Sequence, residues 1–234
     1  MTMAIAPDQS GSGPARAVAV AETPLGYRIA KRSLDLVVAA AGLVVISPVL
    51  AGFALAIRLE SSGPVLFRQE RVGLGGRRFV MLKLRSMHAS ADEDLHRAHV
   101  QELIRGGSAH EPRAGDRTWL PITADARVTR IGSFLRRTHI DELPQLVNVL
   151  RGEMSLVGPR PPIPYEVDVY EPWQLRRLSV PPGLTGLWQA NGWGRLGFED
   201  GVRLDLEYVD TRSFGTDLRL LGRTLWQLVS GRQF

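Results

Sequence analysis

Leu36-Val37-Val38-Ala39-Ala40-Ala41-Gly42-Leu43-Val44-Val45-Ile46-Ser47-Pro48-Val49-Leu50-Ala51-Gly52-Phe53-Ala54-Leu55-Ala56-Ile57 is a run of 22 residues without a charge. As one helix it reaches about 33 Å, enough to cross a bilayer core of about 30 Å. A single transmembrane span is the simplest reading, and two features oppose it. Pro48 lacks an N–H and its ring crowds the Val44 carbonyl, so a helix kinks or breaks there, with the Ser47 hydroxyl available to a freed carbonyl. Both flanks are also basic: Arg28, Lys31 and Arg32 precede the run, and Arg58, Arg68, Arg71, Arg77 and Arg78 follow it. Basic flanks favour the cytoplasmic side, and both are satisfied only if the segment enters and returns through one leaflet. A re-entrant helical hairpin is therefore expected in preference to a full span. A buried core helix pair is a third reading, which the scarcity of polar positions disfavours.

Outward from this segment, residues 1–24 are rich in Ala, Gly, Ser and Pro and read as a disordered tail. No apolar core follows a basic start within them, so they do not read as a signal peptide. Residues 25–60 are expected to form the membrane-embedded unit and residues 61–234 a domain on the cytoplasmic face. The whole is expected to be α+β: a small, mostly helical domain with short strands, attached to the membrane hairpin. The chain has 234 residues and no cysteine, which excludes disulfides, thiolate metal sites and a cysteine nucleophile. Lys and Arg outnumber Asp and Glu by 29 to 24, most of them arginine, a balance that suits phosphates, anionic lipids or nucleic acid. No basic recognition helix or aromatic platform supports the last of these.

Residues 64–87 read as strand, turn, strand, with Gly73-Leu74-Gly75-Gly76 as the turn and Lys83 and Arg85 on one face of the second strand. One helix is expected around Ala91–Ile104 and another over Arg127–Leu135. Thr138-His139-Ile140-Asp141-Glu142-Leu143-Pro144-Gln145-Leu146 then carries the chemistry. Leu143, Leu146, Val147 and Leu150 repeat at helical spacing, so a helix is expected over 141–150, capped by Gly152. Pro144 is tolerated only in a first turn, which puts Asp141 and Glu142 at the helix N-terminus. Two adjacent carboxylates beside Arg136 and Arg137 fit phosphate chemistry, one attacking phosphorus and the other holding a divalent cation. Acids favoured by a helix dipole are the bland alternative.

Met154–Val157 is a short strand feeding Gly158-Pro159-Arg160-Pro161-Pro162, either a stiff loop that presents a guanidinium to phosphate or an ordinary proline turn. Residues 180–195, with Gln189 and Asn191, are expected either to line a sugar or base pocket or to form a tryptophan-rich membrane boundary. Leu218–Val229 is a terminal helix whose stripe of Leu221, Leu225 and Leu228 is assigned to the core by default, with lying on the membrane as the second reading. The five histidines show no metal-ligand spacing and read as solvated.

Taken in order, these pieces resemble the bacterial sugar transferases that move a phosphosugar onto a polyprenyl phosphate, the monotopic phosphoglycosyl transferases. The resemblance runs from about Tyr27 to the C-terminus. It rests on Lys31-Arg32 with Asp35, Ser47-Pro48, Gly63-Pro64-Val65, Phe67 to Gly73, and Lys83-Leu84-Arg85-Ser86-Met87. It continues through Arg136-Arg137-Thr138, Asp141 to Gln145, Asn148 to Ser155, Val157 to Pro161, and Pro182 to Gly186. It implies a ping-pong reaction in which Asp141 attacks the β-phosphorus of a UDP-sugar, UMP leaves, and polyprenyl (undecaprenyl) phosphate takes the phosphosugar from the aspartyl intermediate. It also implies Mg²⁺ at Glu142, phosphate contacts from Arg136 and Arg160, a basic strand bearing Lys83 and Arg85 near the site, and an anchor built on Lys31, Arg32, Ser47 and Pro48. The expected partners are a UDP-sugar, polyprenyl phosphate and membrane lipid, with a homodimer allowed and no nucleic acid. The setting is the cell membrane with the catalytic domain on its cytoplasmic face, at an initiating step of exopolysaccharide, capsule, O-antigen or glycoconjugate synthesis. Pro181 stands where many relatives carry a basic residue, and Trp193-Gly194 separate Arg195 from the Asn-Gly pair. The chain resembles the short, single-domain form. A membrane-anchored nucleotide-sugar hydrolase would carry the same acidic pair, and a non-catalytic membrane scaffold is the reading from a different class.

Overall fold

The computed structural model describes residues 17–88, Ile104, 127–192 and 196–230. Most of the expected Ala91–Ile104 helix lies outside these residues, as do Trp193, Gly194 and Arg195. The described chain is mixed: helices with four short strands and one long apolar helix near its N-terminus, in line with an α+β fold.

Helix α1 spans Leu25–Glu60 and is continuous through Pro48. The hairpin expected from the sequence is thus a single helical element rather than two. Ser47 Oγ donates to the Val44 carbonyl at 2.9 Å. That is the carbonyl whose usual N–H donor Pro48 removes, so the local polar defect is repaired within the turn. The helix is not a core helix. Val37, Val44, Val45, Val49, Leu55 and Leu59 are exposed, and only Asp35, Ala39 and Ile57 are buried. An apolar helix face this open to solvent marks an interaction surface.

One stripe of α1 docks on the rest of the chain. Leu34, Leu43 and Ile46 pack on the principal core, which includes Leu146, Val149, Met154 and Leu156, while Leu50 and Phe53 join Ile57, Leu84 and Leu135 in a second cluster. Polar contacts fix both ends. Lys31 Nζ donates to Val157 O at 2.9 Å and pairs with the buried Asp217 at 2.9 Å. Asp35 accepts from Ser155 Oγ at 3.0 Å and Leu156 N–H at 2.9 Å. At the far end Glu60 Oε1 accepts from Arg130 N–H at 2.8 Å.

Strands β1 (Leu66–Val72) and β2 (Arg78–Leu84) form the expected antiparallel hairpin, in register from Leu66 opposite Leu84 to Val72 opposite Arg78. Its turn uses Gly75 and Gly76 at φ 66° and 84°, where a side chain is disfavoured. Helix α2 (Arg130–Thr138) begins at Thr129, whose hydroxyl caps Gly132 N–H at 2.9 Å. Helix α3 spans Gln145–Arg151 and ends at Gly152, φ 79°. Strand β3 (Ser155–Val157) pairs in parallel with β4 (Gly183–Thr185). Helix α4 (Pro164–Val167) and a 3₁₀ segment (Gln174–Ser179) lie between them, and α5 (Leu187–Gly192), α6 (Phe198–Thr211) and α7 (Phe214–Ser230) complete the fold.

Two expectations are corrected. The helix read as 141–150 starts at Gln145, because Asp141 and Glu142 belong to a separate 3₁₀ turn, Ile140–Glu142. The α7 stripe is not all core. Leu220 is buried and Leu221 packs on the core, but Leu225 and Leu228 are exposed beside Trp226 and Val229. Of the expected 1–24 tail, residues 1–16 lie outside the described residues; residues 17–24 form no helix or strand but are tied down, with Ala21 N–H donating to Ser179 O at 2.9 Å.

Candidate active site

The acidic turn hangs between two short helices, and α1 caps both. Glu60 accepts from the first-turn N–H groups of α2 at Arg130 and Ile131. Arg32 donates to the last-turn carbonyls of α3, to Val149 at 2.7 Å and Leu150 at 2.8 Å. Each charge sits at the helix end whose dipole it complements. Between the helices, His139 adopts the left-handed conformation at φ 55°. This is uncommon for a non-glycine residue and stops α2 abruptly. The chain then turns through Ile140–Glu142 into Pro144 at the N-cap of α3.

The turn gives the two carboxylates different surroundings. Asp141 is buried, and among the described residues it forms no salt bridge. Glu142 keeps about a third of its side chain in solvent (35%) and its Oε1 accepts from Lys83 Nζ at 2.7 Å. Lys83 arrives from β2. That strand is held against α3 by Asn148, whose side chain accepts from Leu82 N–H at 3.1 Å and donates to Val80 O at 2.7 Å. The chain has only two lysines: Lys31 anchors α1, and Lys83 faces the acidic pair.

Electrostatics separates the two acids further. Burial raises the Asp141 carboxyl to about 6, with Glu142 adding to the rise, against Lys83, His139 and Arg136. For Glu142 burial is outweighed by the charge and hydrogen bond of Lys83, helped by His139 and Arg160, and its carboxyl falls to about 2. Desolvation thus dominates at Asp141 and holds its carboxyl above the ordinary carboxylate range. Asp141 is still ionised at neutral pH.

The Gly158–Pro162 loop presents Arg160, whose Nη1 stands 3.9 Å from Glu166 Oε1. Gly158 has no room for a side chain, since a Cβ there would meet the Pro181 carbonyl. The site thus brings together Asp141, Glu142, Lys83, Arg136 and Arg160. Other candidates lie elsewhere. Arg85 follows β2 and donates to the carbonyls of Ser61 at 2.7 Å and Ser62 at 2.8 Å, pinning the end of α1. Asn191 is exposed on α5 and accepts from Arg223 at 2.6 Å. Gln189 sits beside Gly186, its buried Oε1 without a hydrogen-bond partner among the described residues. Lys31 and Arg32 dock α1 onto the domain, and Ser47 and Pro48 lie mid-helix.

Two residues beyond the sequence candidates stand near the acids. His139, expected to be solvated, is half-buried and acts on both carboxylates. Arg71, expected as a membrane flank, is buried and near enough to Arg160 and Glu142 to be perturbed by them. Its place within the Phe67–Gly73 motif is the sequence signal for it.

No cluster of three or more metal-ligating side chains occurs among the described residues. Mg²⁺ takes one or two carboxylates and fills its octahedron with water and phosphate oxygens, so the donor to consider is a single carboxylate open to solvent. Glu142 is the carboxylate with solvent access.

A family model described as bacterial sugar transferase matches residues 26–231. A UDP-glucose:undecaprenyl-phosphate glucose-1-phosphate transferase from Caulobacter vibrioides is 43% identical over 209 residues, covering 86% of this chain and 70% of the relative. A galactosyl transferase, CpsE, from Streptococcus agalactiae is 39% identical over 206 residues, covering 88% of this chain and 43% of the relative. The exopolysaccharide production protein ExoY of Rhizobium meliloti is 36% identical over 203 residues, covering 86% of each. The chain thus spans less than half the length of some curated relatives and most of the length of others.

Proposed function

The chain belongs to the bacterial sugar transferase family, and on that footing we propose that it is a phosphoglycosyl transferase moving a phosphosugar from a UDP-sugar to undecaprenyl phosphate. The observation that carries this reading is the division of labour in the acidic pair. Asp141 is buried and free of salt bridges among the described residues, whereas Glu142 is charged, partly open and paired with Lys83. The first suits a nucleophile and the second a charge-neutralising partner.

In the proposed reaction an Asp141 carboxylate oxygen bonds to the β-phosphorus of the UDP-sugar as the bond from that phosphorus to the UMP oxygen breaks. UMP carries away the electron pair. A phosphate oxygen of undecaprenyl phosphate then attacks the same phosphorus, restores the carboxylate and yields the undecaprenyl diphosphosugar. Arg160 and Arg136 steady the phosphoryl oxygens, and Lys83 holds Glu142 ionised and oriented. Mg²⁺ at Glu142, when bound, offsets charge on the diphosphate and on the departing UMP.

Helix α1 is proposed to sit in one leaflet with both ends on the cytoplasmic side. From Lys31 to Glu60 a straight helix covers about 44 Å, yet Lys31 and Glu60 both bond to the domain that carries the acids. A full span would take one of those contacts to the opposite face. The basic flanks and the exposed apolar face of α1 support the same placement.

A UMP-release assay across UDP-sugars, with and without undecaprenyl phosphate, tests the function. UDP-glucose and UDP-galactose come first, since relatives are named for those sugars. Sustained release that requires the lipid phosphate is expected. Sustained release without it, yielding free sugar phosphate, would establish a hydrolase instead.

A further inference from the structure

The Gly158–Pro162 loop is held at four successive carbonyls. Gly183 N–H donates to Pro159 O at 2.9 Å, Arg177 Nη2 to Arg160 O at 3.2 Å, Arg71 Nη1 to Pro161 O at 2.9 Å, and Val72 N–H to Pro162 O at 2.9 Å. Three prolines leave the loop few donors of its own, so its shape is set from outside. Two of the four donors are guanidiniums, each only 3% exposed.

These two cations differ. Arg177 is compensated: it pairs with the buried Asp205 and donates to Tyr170 Oη at 2.9 Å. Tyr170 Oη in turn donates to Glu166 Oε2 at 3.3 Å, and the other Glu166 oxygen faces Arg160. Arg177 therefore reaches Arg160 twice, through the main-chain carbonyl and through Tyr170 and Glu166. Arg71 meets only neutral oxygens among the described residues: Gln69 Oε1, at 3.1 and 2.6 Å, and the Pro161 carbonyl. A buried guanidinium with no carboxylate in contact is costly to hold charged. Burial and the Arg160 charge lower its pKa to about 9, against Glu166, Tyr165 and Glu142. An anion arriving at Arg160 would relieve that cost.

We propose that Arg71 and Arg177 are positioning residues that lock the Arg160 guanidinium for a phosphoryl group, Arg71 also supplying a fixed, buried positive charge that favours the anion. The proposal rests on the phosphosugar-transfer reading, in which Arg160 meets the diphosphate. Both residues act through the loop.

A double-mutant cycle tests this, with UDP as the probe, isothermal titration of the full chain in nanodiscs, and thermal unfolding to confirm the fold. Arg160→Ala is expected to weaken UDP binding about tenfold or more, the range of a charge-assisted hydrogen bond. Arg71→Lys keeps the charge but loses the planar fork, and should weaken binding about fivefold when Arg160 is present but less than about twofold in the Arg160→Ala background. Arg71→Met, which also removes the charge, should weaken binding further, and Arg177→Lys should show the same dependence on Arg160. Losses that simply add to that of Arg160→Ala, or UDP affinity unchanged in folded Arg71→Lys, overturn the clamp. UMP release by the unmodified chain tests the parent reading separately. Normal release with additive losses rejects the clamp alone, and coupled losses without release support the clamp while rejecting transfer.

Discussion

Replacing Asp141 with asparagine should stabilise the protein while abolishing turnover. Asp141 is 7% exposed, and burial, with a further push from Glu142, lifts its carboxyl from 3.8 to about 6. A carboxyl raised in the folded state binds its proton more tightly there than in the unfolded chain. Its ionisation therefore opposes folding. That penalty is complete above about pH 6, fades between pH 6 and 4, and vanishes below the unfolded value. Two pKa units at 1.36 kcal/mol each correspond to about 3 kcal/mol at pH 8, an upper figure for what a near-isosteric, uncharged amide would relieve. In a chain of this size that is about 6 to 12 °C in melting temperature. Thermal unfolding in nanodiscs at pH 8 and pH 4.5, alongside UMP release, reads both effects. The Asn variant should melt higher at pH 8, lose most of its advantage at pH 4.5, and release no UMP. A lower melting temperature at pH 8, or an equal gain at both pH values, would refute the desolvation argument.

Turnover should fall on the acid side with a limb near pH 6 as Asp141 takes up its proton, and Lys83→Met should move that limb upward, since Lys83 is the largest charge holding the Asp141 carboxyl down; a pH–rate profile of both proteins shows it, and an unmoved limb rejects the assignment. Gly158→Ala should cost several kcal/mol because its methyl group would meet the Pro181 carbonyl, whereas Gly26→Ala, with open space around it, should be near neutral, as denaturant midpoints will report. Single cysteines introduced at the exposed positions Arg28 and Leu59 should both label with an impermeant thiol reagent from the cytoplasmic side only; labelling from opposite sides would establish a full span.

Much of this molecule is legible in its sequence because the signals are local. Pro48 removes a known hydrogen bond, and Ser47 repairs it as expected. The glycines at 73–76 announce a hairpin turn, and period-two alternation gives β2 its Lys83 face. The acidic pair, the arginine-proline loop and their order along the chain lead to the family. Other features depend on contacts distant in sequence. Periodicity over 141–150 does not separate a 3₁₀ turn from the first turn of an α-helix; His139 in a left-handed conformation makes that break. Lys83 and Arg85 are equivalent by strand period, yet one meets Glu142 and the other the end of α1, because the strand ends between them. The exposure of Leu225 and Leu228 follows from where α7 runs out of domain to pack against. The raised carboxyl of Asp141 and the burial of Arg71 are properties of the assembled site.

The most direct measurement is a half-reaction: purified protein in nanodiscs with a UDP-sugar and Mg²⁺, no lipid acceptor, quenched and digested for peptide mass spectrometry. A phosphosugar mass on the peptide bearing Asp141, localised to that residue and discharged by undecaprenyl phosphate, is expected. Rapid turnover with the acceptor present, but an unmodified Asp141 at every quench time without it, would contradict the covalent reading.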